Sequence, residues 1–313
     1  MVHLIDLITF DLDGVLIQNP FRRGVFPHVC RTLAPYVISA RGRAQEVQVC
    51  TGGGIRGSSA GCPPQGSSAG CPPQDPERAV LHLIIQEAKK RITEGHLVEA
   101  YDWDDIVACV AADLASGTGA SSAPSLDVAG LVRHYCRMPD MIALLPGAHE
   151  VLSSLHEDGY TLGVVTNGYR RYQLPVLQTL GIDHFFDVMI TPEGARAAKP
   201  QARIFRAAWN GRLAPLHVGD DLIHDAWGAR AAGGYSVWLH RDLPDDLRRE
   251  PPEQRPRCDG FASVRDRAYS GVLAGEAFGV SASACVPHAV IETLGELPGL
   301  LRRLERHSAQ ASS

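Results

Sequence analysis

The chain has 313 residues, of which 21% are charged, and a formal net charge of −5 at pH 7. This length is sufficient for a sizeable core and for two domains. No block of basic residues indicates nucleic acid, and no apolar run approaches the roughly 20 residues that span a bilayer. A core strand is predicted within a few residues of Met1, ahead of which a signal peptide has no room. We therefore expect a cytoplasmic protein with neither nucleic acid nor membrane as a partner.

The first predicted element is an apolar strand that ends in two aspartates, within the run from Ile5 to Val15. Gly14 allows a sharp turn, so that Asp11 and Asp13 can converge on one crevice at the carboxyl end of the strand. Two adjacent carboxylates repel each other unless a cation or a shared proton relieves them, and Mg²⁺ prefers such oxygens. A turn or helix cap with two solvated aspartates is the alternative at this point.

Helical patterns occupy the region between residues 17 and 140. Asp75 and Pro76 mark a helix start, and apolar residues recur behind them at three- and four-residue spacing. Two further helices are predicted, one on an apolar stripe that begins at Trp103 and one around residues 131–136. These patterns predict an inserted helical domain whose apolar stripes form its core.

One segment of this region is duplicated. The nine residues 57–65 recur without change as residues 66–74. Two short copies are too few for a solenoid, and their Gly, Ser and Pro content predicts an extended loop. We interpret the segment as a tandem duplication that carries no chemistry.

Three later strand-like runs lead to polar residues that precede a predicted helix. These residues are Thr166 and Asn167 after the run 161–166, Lys199 after 187–191, and Asp220, Asp221 and Asp225 after 216–218. In an open parallel sheet the carboxyl ends of the strands share one edge, where ligands bind. The pattern predicts a doubly wound α/β fold in which these side chains lie beside Asp11 and Asp13.

The remaining segments predict helices, a second insertion and a last strand. A helix is expected within residues 145–159, and Pro175 predicts a late start or a kink in the helix that follows Asn167. Prolines and small residues indicate a second insertion over about 241–286, built mostly of loop. A last strand and helix are expected near 287–305.

The polar segments closely resemble the signature of the haloacid dehalogenase-like phosphatase superfamily. Its four motifs match Asp11-Leu12-Asp13-Gly14-Val15, Thr166-Asn167, Lys199-Pro200, and Gly219-Asp220-Asp221 with Asp225. The helical insertion resembles the first (C1) cap type, as in the phosphoglycolate-phosphatase-like branch, subfamily I. The resemblance implies a Rossmann-like α/β core over residues 1–16 and 141–313, interrupted at about 241–286. It also implies a helical cap domain over 17–140 that contains the duplicated loop 57–74.

The resemblance further implies a phosphatase that acts on a small phosphorylated metabolite through an aspartyl-phosphate. Asp11 would be the nucleophile, and Asp13 would be the general acid and base. Thr166 and the backbone at Asn167 would bind the phosphoryl oxygens. Lys199 would neutralise charge on the nucleophile and on the transferring group.

Mg²⁺ is the cofactor that the resemblance implies. Asp220 and Asp225 would hold it together with Asp11 and the backbone carbonyl of Asp13. Asp221 is either a further metal-site residue or the cap of the helix that starts near residue 222.

Asp13 also bears on the reaction class. Branches of the superfamily that cleave carbon–halogen or carbon–phosphorus bonds lack this second aspartate, so its presence favours hydrolysis of phosphate esters. A sugar phosphomutase similar to β-phosphoglucomutase shares the first motif and remains open as an alternative. A non-catalytic binding protein on the same fold is a third interpretation.

Four arginines follow the first two motifs. Arg22, Arg23, Arg170 and Arg171 are either rim residues that reach an anionic leaving group or ordinary surface residues. The two insertions also offer surfaces for self-association, and a homodimer is an open expectation.

Overall fold

The computed structural model describes residues 5–51, 75–120, 122–212, 214–270 and 278–311. The duplicated segment 57–74, for which we predict an extended loop, lies outside these residues. No helix in the described ranges combines the length and the apolarity that a membrane span requires.

Eight strands form within the described residues. In chain order they are β1 (Leu7–Phe10), β2 (Ile17–Gln18), β3 (Ala143–Leu144), β4 (Thr161–Val165), β5 (Val188–Ile190), β6 (Pro215–Gly219), β7 (Tyr235–Leu239) and β8 (Ala289–Ile291). Six of them make one parallel sheet in the order β5-β4-β1-β6-β7-β8. The first strand therefore lies between β4 and β6, and the polar residues that follow these three strands share one edge.

Helices connect the strands. The described α-helices are α1 (Phe26–Thr51), α2 (Pro76–Thr93), α3 (Trp103–Thr118), α4 (Val128–Cys136), α5 (Ala148–Glu157), α6 (Arg170–Leu180), α7 (Pro192–Ala195), α8 (Ala202–Trp209), α9 (Gly228–Ala232), α10 (Asp245–Arg248), α11 (Phe261–Ser270) and α12 (Leu297–Ala311). Single turns of other helix types are π at Phe21–Val25 and Leu222–Trp227, and 3₁₀ at Glu99–Tyr101, Asp183–Phe185, Arg255–Arg257, Ala282–Ala284 and Leu294–Glu296.

Both faces of the parallel sheet are covered by helices. Successive residues of a strand point to opposite faces. Ile8 and Phe10 join a core with residues of α5, α6 and α12, whereas Leu7 joins a second cluster with α8 and α9. The near-continuous apolar strands fit a sheet that is buried on both sides. The predicted doubly wound α/β fold is confirmed.

We call residues 17–140, which begin with β2 and end shortly before β3, the helical insertion, and its described parts are mainly helical, as predicted. Antiparallel pairing of β2 with β3 joins the two ends of the insertion. α2 follows Asp75, whose Oδ1 accepts a hydrogen bond of 3.0 Å from the backbone N–H of Glu77. The patterns missed α1, because Pro35 lies inside it and an internal proline removes a helical hydrogen bond. The division of the chain into core and cap domains stays a prediction.

The late start that Pro175 predicts for the helix after Asn167 is not observed. α6 begins at Arg170, three residues after Asn167, and continues through Pro175 to Leu180. The proline still removes the N–H that would bond to the carbonyl of Arg171. Burial of Tyr172, Val176 and Leu177 against the core stabilises the helix despite this loss.

The second insertion is more structured than its composition predicts. Residues 241–286 contribute α10 and α11, and they share an apolar cluster with β7 and β8 that includes Leu247, Phe261 and Trp238. Arg255 is buried in this region and donates to the carbonyl of Val290 at 2.9 Å and to Glu296 at 2.7 Å. The apolar cluster and the buried, hydrogen-bonded Arg255 therefore stabilise this segment, although its prolines and glycines predict a loop.

Candidate active site

The polar residues that follow β1, β4, β5 and β6 meet at the carboxyl edge of the sheet, between the sheet and the helical insertion. A cavity of about 340 Å³ lies there. The predicted site residues that line it are Asp11, Asp13, Thr166, Asn167, Lys199 and Asp225. Asp220 lies beside them, since its carboxylate is within 4.8 Å of oxygens of Asp11 and Asp225. The structure thus brings all the predicted site residues together.

A buried lysine bridges two of the carboxylates. Nζ of Lys199 is 2.7 Å from Oδ1 of Asp11 and 2.6 Å from Oδ1 of Asp225. Burial by itself lowers the pKa of a lysine, but the two carboxylates outweigh it and raise the pKa of Lys199, so the ammonium stays charged. Burial likewise raises the pKa of a carboxyl group, but at Asp225 the charge of Lys199 and the hydrogen bond with His217 prevail and lower the pKa.

His217 is a site residue that the sequence patterns missed. Its Nε2 lies 3.0 Å from Oδ1 of Asp225, and its Nδ1 lies 3.0 Å from Oγ1 of Thr9. The second oxygen of Asp225 accepts a hydrogen bond of 3.0 Å from the backbone N–H of Asp221. Both oxygens of Asp225 are therefore held in place. The sequence feature that could have indicated His217 is its position as a polar residue in the middle of β6, a strand that is buried along its whole length.

Asp11, Asp220 and Asp225 form the carboxylate cluster of the site. Burial and the charges of Asp11 and Asp225 raise the pKa of Asp220 to about 8. Gly14 makes this approach possible: its φ is +81°, and a Cβ there would lie 2.1 Å from Oδ2 of Asp220. A hard cation would relieve the repulsion among the three groups, and carboxylate oxygens are the ligands that Mg²⁺ prefers. The donor set therefore fits a magnesium ion.

The open question about Asp221 is answered in favour of a helix cap. Its Oδ1 accepts hydrogen bonds from the backbone N–H groups of Ile223 at 2.8 Å and His224 at 2.7 Å. Nδ1 of His224 also lies 3.3 Å from the same oxygen. The capping interpretation is confirmed.

Asp13 is held by one oxygen only. Its Oδ2 accepts a hydrogen bond of 2.8 Å from Nε2 of Gln173, whereas its buried Oδ1 has no protein partner among the described residues. Burial raises the pKa of Asp13 to about 6, against the opposing effect of the bond to Gln173 and with a contribution from the charge of Asp11. Gln173 lies on α6, and the absence of a side chain at Gly168 leaves room for its amide. No sequence signal connected Gln173 with Asp13.

The side chain of Asn167 positions the segment that carries Lys199. Its Nδ2 donates to the carbonyl of Lys199 at 3.2 Å, and its Oδ1 accepts from the backbone N–H of Lys199 at 2.7 Å. Thr166 is buried, and its Oγ1 accepts from the N–H of Gly168 at 3.1 Å. The second motif therefore fixes the lysine of the third.

The helical insertion contributes aromatic residues to the same cavity. Phe21, Phe26, Tyr101 and Trp103 line it from the insertion, and Tyr172 lines it from α6. The sequence patterns predicted the apolar stripes as core and did not place these rings at the site. The pattern cannot reveal this, because an aromatic ring at the edge of a cavity has the same spacing as one in a core.

None of the four arginines for which a rim or an ordinary surface position was expected is among the residues that line this cavity. Arg171 instead pairs with Asp102 and, at 2.9 Å from Nε, with Asp104 of the helical insertion. Its guanidinium lies 4.9 Å from the ring centres of both Tyr169 and Tyr172. It connects α6 to the insertion.

This fold and its carboxylate-rich edge define an α/β enzyme of the hydrolase type. The profile of the haloacid dehalogenase-like hydrolase family matches residues 5–233, which is well over half of the chain. The chain therefore belongs to that family, as its four motifs predict.

Relatives of the chain include phosphatases. It is 35% identical over 116 residues to haloacid dehalogenase-like hydrolase domain-containing protein 3 of Xenopus laevis, covering 36% of this chain and 47% of that protein. It is 33% identical over 115 residues to the glyceraldehyde 3-phosphate phosphatase of Pyrococcus abyssi, covering 36% of this chain and 48% of that enzyme. The chain thus spans about half the length of these curated relatives.

A solved structure shares the fold. The L-2-haloacid dehalogenase of Xanthobacter autotrophicus superposes with a TM-score of 0.51 at 17% identity, covering 96% of this chain and 99% of that one. Similarity at this identity concerns the fold alone. Family and phosphatase relatives together support a hydrolase of the phosphatase type.

Proposed function

We propose that the protein is a Mg²⁺-dependent phosphatase that hydrolyses a small phosphate monoester through an aspartyl-phosphate on Asp11. The observation that carries this proposal is the arrangement of two carboxylates in one cavity. Asp11 is paired with the buried Lys199, while Asp13 presents an oxygen without a protein partner. Burial and the charge of Asp225 raise the pKa of Asp11, and Lys199 opposes this rise. A cation bound at the cluster would further favour the ionised form that a nucleophile needs, whereas Asp13 suits a proton donor.

The carboxylate cluster would hold the metal ion. Asp11, Asp220 and Asp225 would be its ligands, together with the backbone carbonyl of Asp13. When bound, Mg²⁺ would supply positive charge against the phosphoryl oxygens. Lys199 adds a fixed positive charge from the protein, and it lies in contact with both Asp11 and Asp225.

The reaction divides into two steps that share the same residues. In the first, a carboxylate oxygen of Asp11 attacks phosphorus and the bond from phosphorus to the alcohol oxygen breaks. The proton of Asp13 passes to that oxygen, so the alcohol leaves neutral. In the second, Asp13 takes a proton from water as the water oxygen attacks phosphorus. The bond from phosphorus to Asp11 breaks, and inorganic phosphate leaves. Thr166 and the backbone at Asn167 would bind the phosphoryl oxygens in both steps.

Magnesium dependence tests this proposal directly. Phosphate release from a panel of small phosphomonoesters should require Mg²⁺ and stop on addition of a chelator. Because Mg²⁺ would bind only the folded state, it should also raise the melting temperature, by an amount equivalent to about 2.7 kcal/mol at one hundred times its Kd. Asp220→Asn should lose this stabilisation, because it removes one ligand of the cluster.

Asp113→Asn is the matched control, because it neutralises an exposed aspartate on α3. It should behave as the wild type in both measurements. A folded protein that releases no phosphate from any ester would contradict the proposal and shift the interpretation to a phosphomutase or a binding protein. We also propose a cytoplasmic location and a homodimer.

Gln173 provides a second prediction, on proton donation. Gln173→Leu removes the hydrogen bond to Oδ2 of Asp13, so the carboxyl group loses its orientation toward the leaving oxygen. We expect the rate for an alkyl phosphate to fall by about tenfold to a hundredfold, within the range that general acid catalysis supplies. The rate for p-nitrophenyl phosphate should fall much less, because nitrophenolate leaves without a proton.

Gln178→Leu is the control for this substitution, because Gln178 lies on the same helix and is exposed. It should leave both rates unchanged. Equal losses on the two esters in Gln173→Leu would show that the residue only supports the fold.

A further inference from the structure

The cavity extends from the carboxylates to four rings, Phe21, Phe26, Trp103 and Tyr172, which we call the aromatic wall. The ring centre of Phe21 is 5.2 Å from that of Phe26, 5.6 Å from that of Tyr172 and 6.1 Å from that of Trp103. Phe26 and Trp103 are 5.2 Å apart and nearly perpendicular. These contacts hold the rings in place without a ligand, so the wall is preformed.

The charges around the cavity oppose a second anion in the substrate. Among the described residues that line it, Lys199 is the single lysine or arginine, and its ammonium already contacts two carboxylates. Asp221 adds further negative charge to the lining. A carboxylate or second phosphate placed against the aromatic wall would be desolvated without a cation.

The arginines nearest to the site serve other partners or another cavity. Arg171 is paired with Asp102 and Asp104 of the helical insertion. Arg22 and Arg23 line a neighbouring cavity that shares Asp13 with the site.

The polar groups near the wall are a phenol hydroxyl, an imidazole and a side-chain amide. The hydroxyl of Tyr101, from the helical insertion, lies 3.5 Å from Nε2 of His224, from the sheet side. Both residues line the cavity, as does Asn19. Such groups can orient hydroxyl or ring nitrogen atoms of a ligand without requiring charge.

On the basis of the phosphatase function proposed above, we propose that the aromatic wall binds the alcohol portion of the substrate. The substrate class is a phosphate monoester whose alcohol carries an uncharged aromatic or heteroaromatic ring. The phosphoryl group would lie at the carboxylate cluster and Lys199, and the ring would lie against Phe26 and Trp103. Esters of alcohols that carry their own carboxylate or phosphate are expected to be poor substrates.

The test compares three esters of primary alcohols: benzyl phosphate, cyclohexylmethyl phosphate and 2-phosphoglycolate. The first two differ in the ring, and the third carries a second anion. We expect kcat/KM for benzyl phosphate to exceed that for cyclohexylmethyl phosphate by about threefold to tenfold, as contacts between aromatic rings predict. It should exceed that for 2-phosphoglycolate by about a hundredfold.

Variants of the wall connect the preference to its rings. In Trp103→Leu and Phe26→Leu, the ratio of benzyl to cyclohexylmethyl phosphate should fall toward one. Phe186→Leu is the control, because Phe186 is a half-buried aromatic residue that does not line the cavity, and it should keep the wild-type ratio.

The results separate the two proposals. A preference for 2-phosphoglycolate would overturn the inference and leave the phosphatase function standing. If the Arg22→Gln variant then lost the preference for 2-phosphoglycolate, the second anion would bind in the neighbouring cavity that Arg22 lines. A wild-type ratio near one, or a ratio unchanged in both wall variants, would also overturn the inference. Release from none of the esters would overturn the phosphatase function, and the inference with it.

Discussion

Replacing Asp11 by asparagine should reduce phosphate release by at least about 10⁴-fold, because an amide oxygen is a poor nucleophile. The substitution keeps the size of the side chain and removes one negative charge from the carboxylate cluster. Burial and the charge of Asp225 outweigh the attraction of Lys199 and raise the pKa of Asp11. Neutralising this group should therefore leave the melting temperature of the metal-free protein unchanged or raise it. The measurements are phosphate release with saturating Mg²⁺ and thermal unfolding with chelator.

A matched control excludes a general effect of the charge change. Asp113→Asn should retain wild-type turnover, because this aspartate is exposed on α3. Turnover in Asp11→Asn within tenfold of the wild type would rule out Asp11 as the nucleophile. A lower melting temperature with wild-type turnover would instead show that Asp11 has a structural role.

Lys199→Met should have the second largest effect, on turnover and on stability together. Loss of a fixed charge that faces the transferring group typically costs about 10²–10³-fold in kcat. Removing one partner of a buried ion pair also leaves the other charges uncompensated, and such changes destabilise proteins by about 3–5 kcal/mol. His217 still contacts Asp225, so the loss of stability should lie toward the lower end of this range.

Urea unfolding in chelator and in Mg²⁺ tests this prediction. Added Mg²⁺ should restore part of the stability of Lys199→Met, because it supplies positive charge to the same carboxylates. Lys90→Met is the control, since Lys90 is exposed and its ion pair with Glu87 spans 3.6 Å. It should change stability by less than about 1 kcal/mol. An equally small effect in Lys199→Met would contradict the bridging role of the lysine.

The motif residues could be predicted because they lie in the segments that follow strands, and some of them come directly after the strand. Asp11 follows β1, and Asp220 follows β6, so one rule about parallel sheets places both at the same edge. The residues that hold them could not be predicted in this way. Gln173 contacts Asp13 across 160 positions of the chain, and His217 contacts Thr9 across 208. A pattern within one element carries no information about such pairs.

The helical insertion shows the same limit. Its apolar stripes predicted α2 and α3, because their spacing is local. Phe26 and Trp103 reach the site because of the way the insertion packs against the sheet. This packing produces no periodic pattern in the sequence. Pro35 similarly concealed α1, since packing against neighbouring helices outweighs the proline's intrinsic preference.

The ion pairs of Arg171 have a consequence for ionic strength. Its side chain is 41% exposed, so dissolved salt can screen its attraction to Asp102 and Asp104. Any outward movement of the helical insertion that admits a ligand must break these pairs, whereas Gln173 and Asp13 lie on the sheet side and can stay in contact. Raising the salt concentration would therefore favour the exchange of ligand and product while it leaves the proton donor in place. Enzyme limited by product release would run faster in salt, and enzyme limited by chemistry would not.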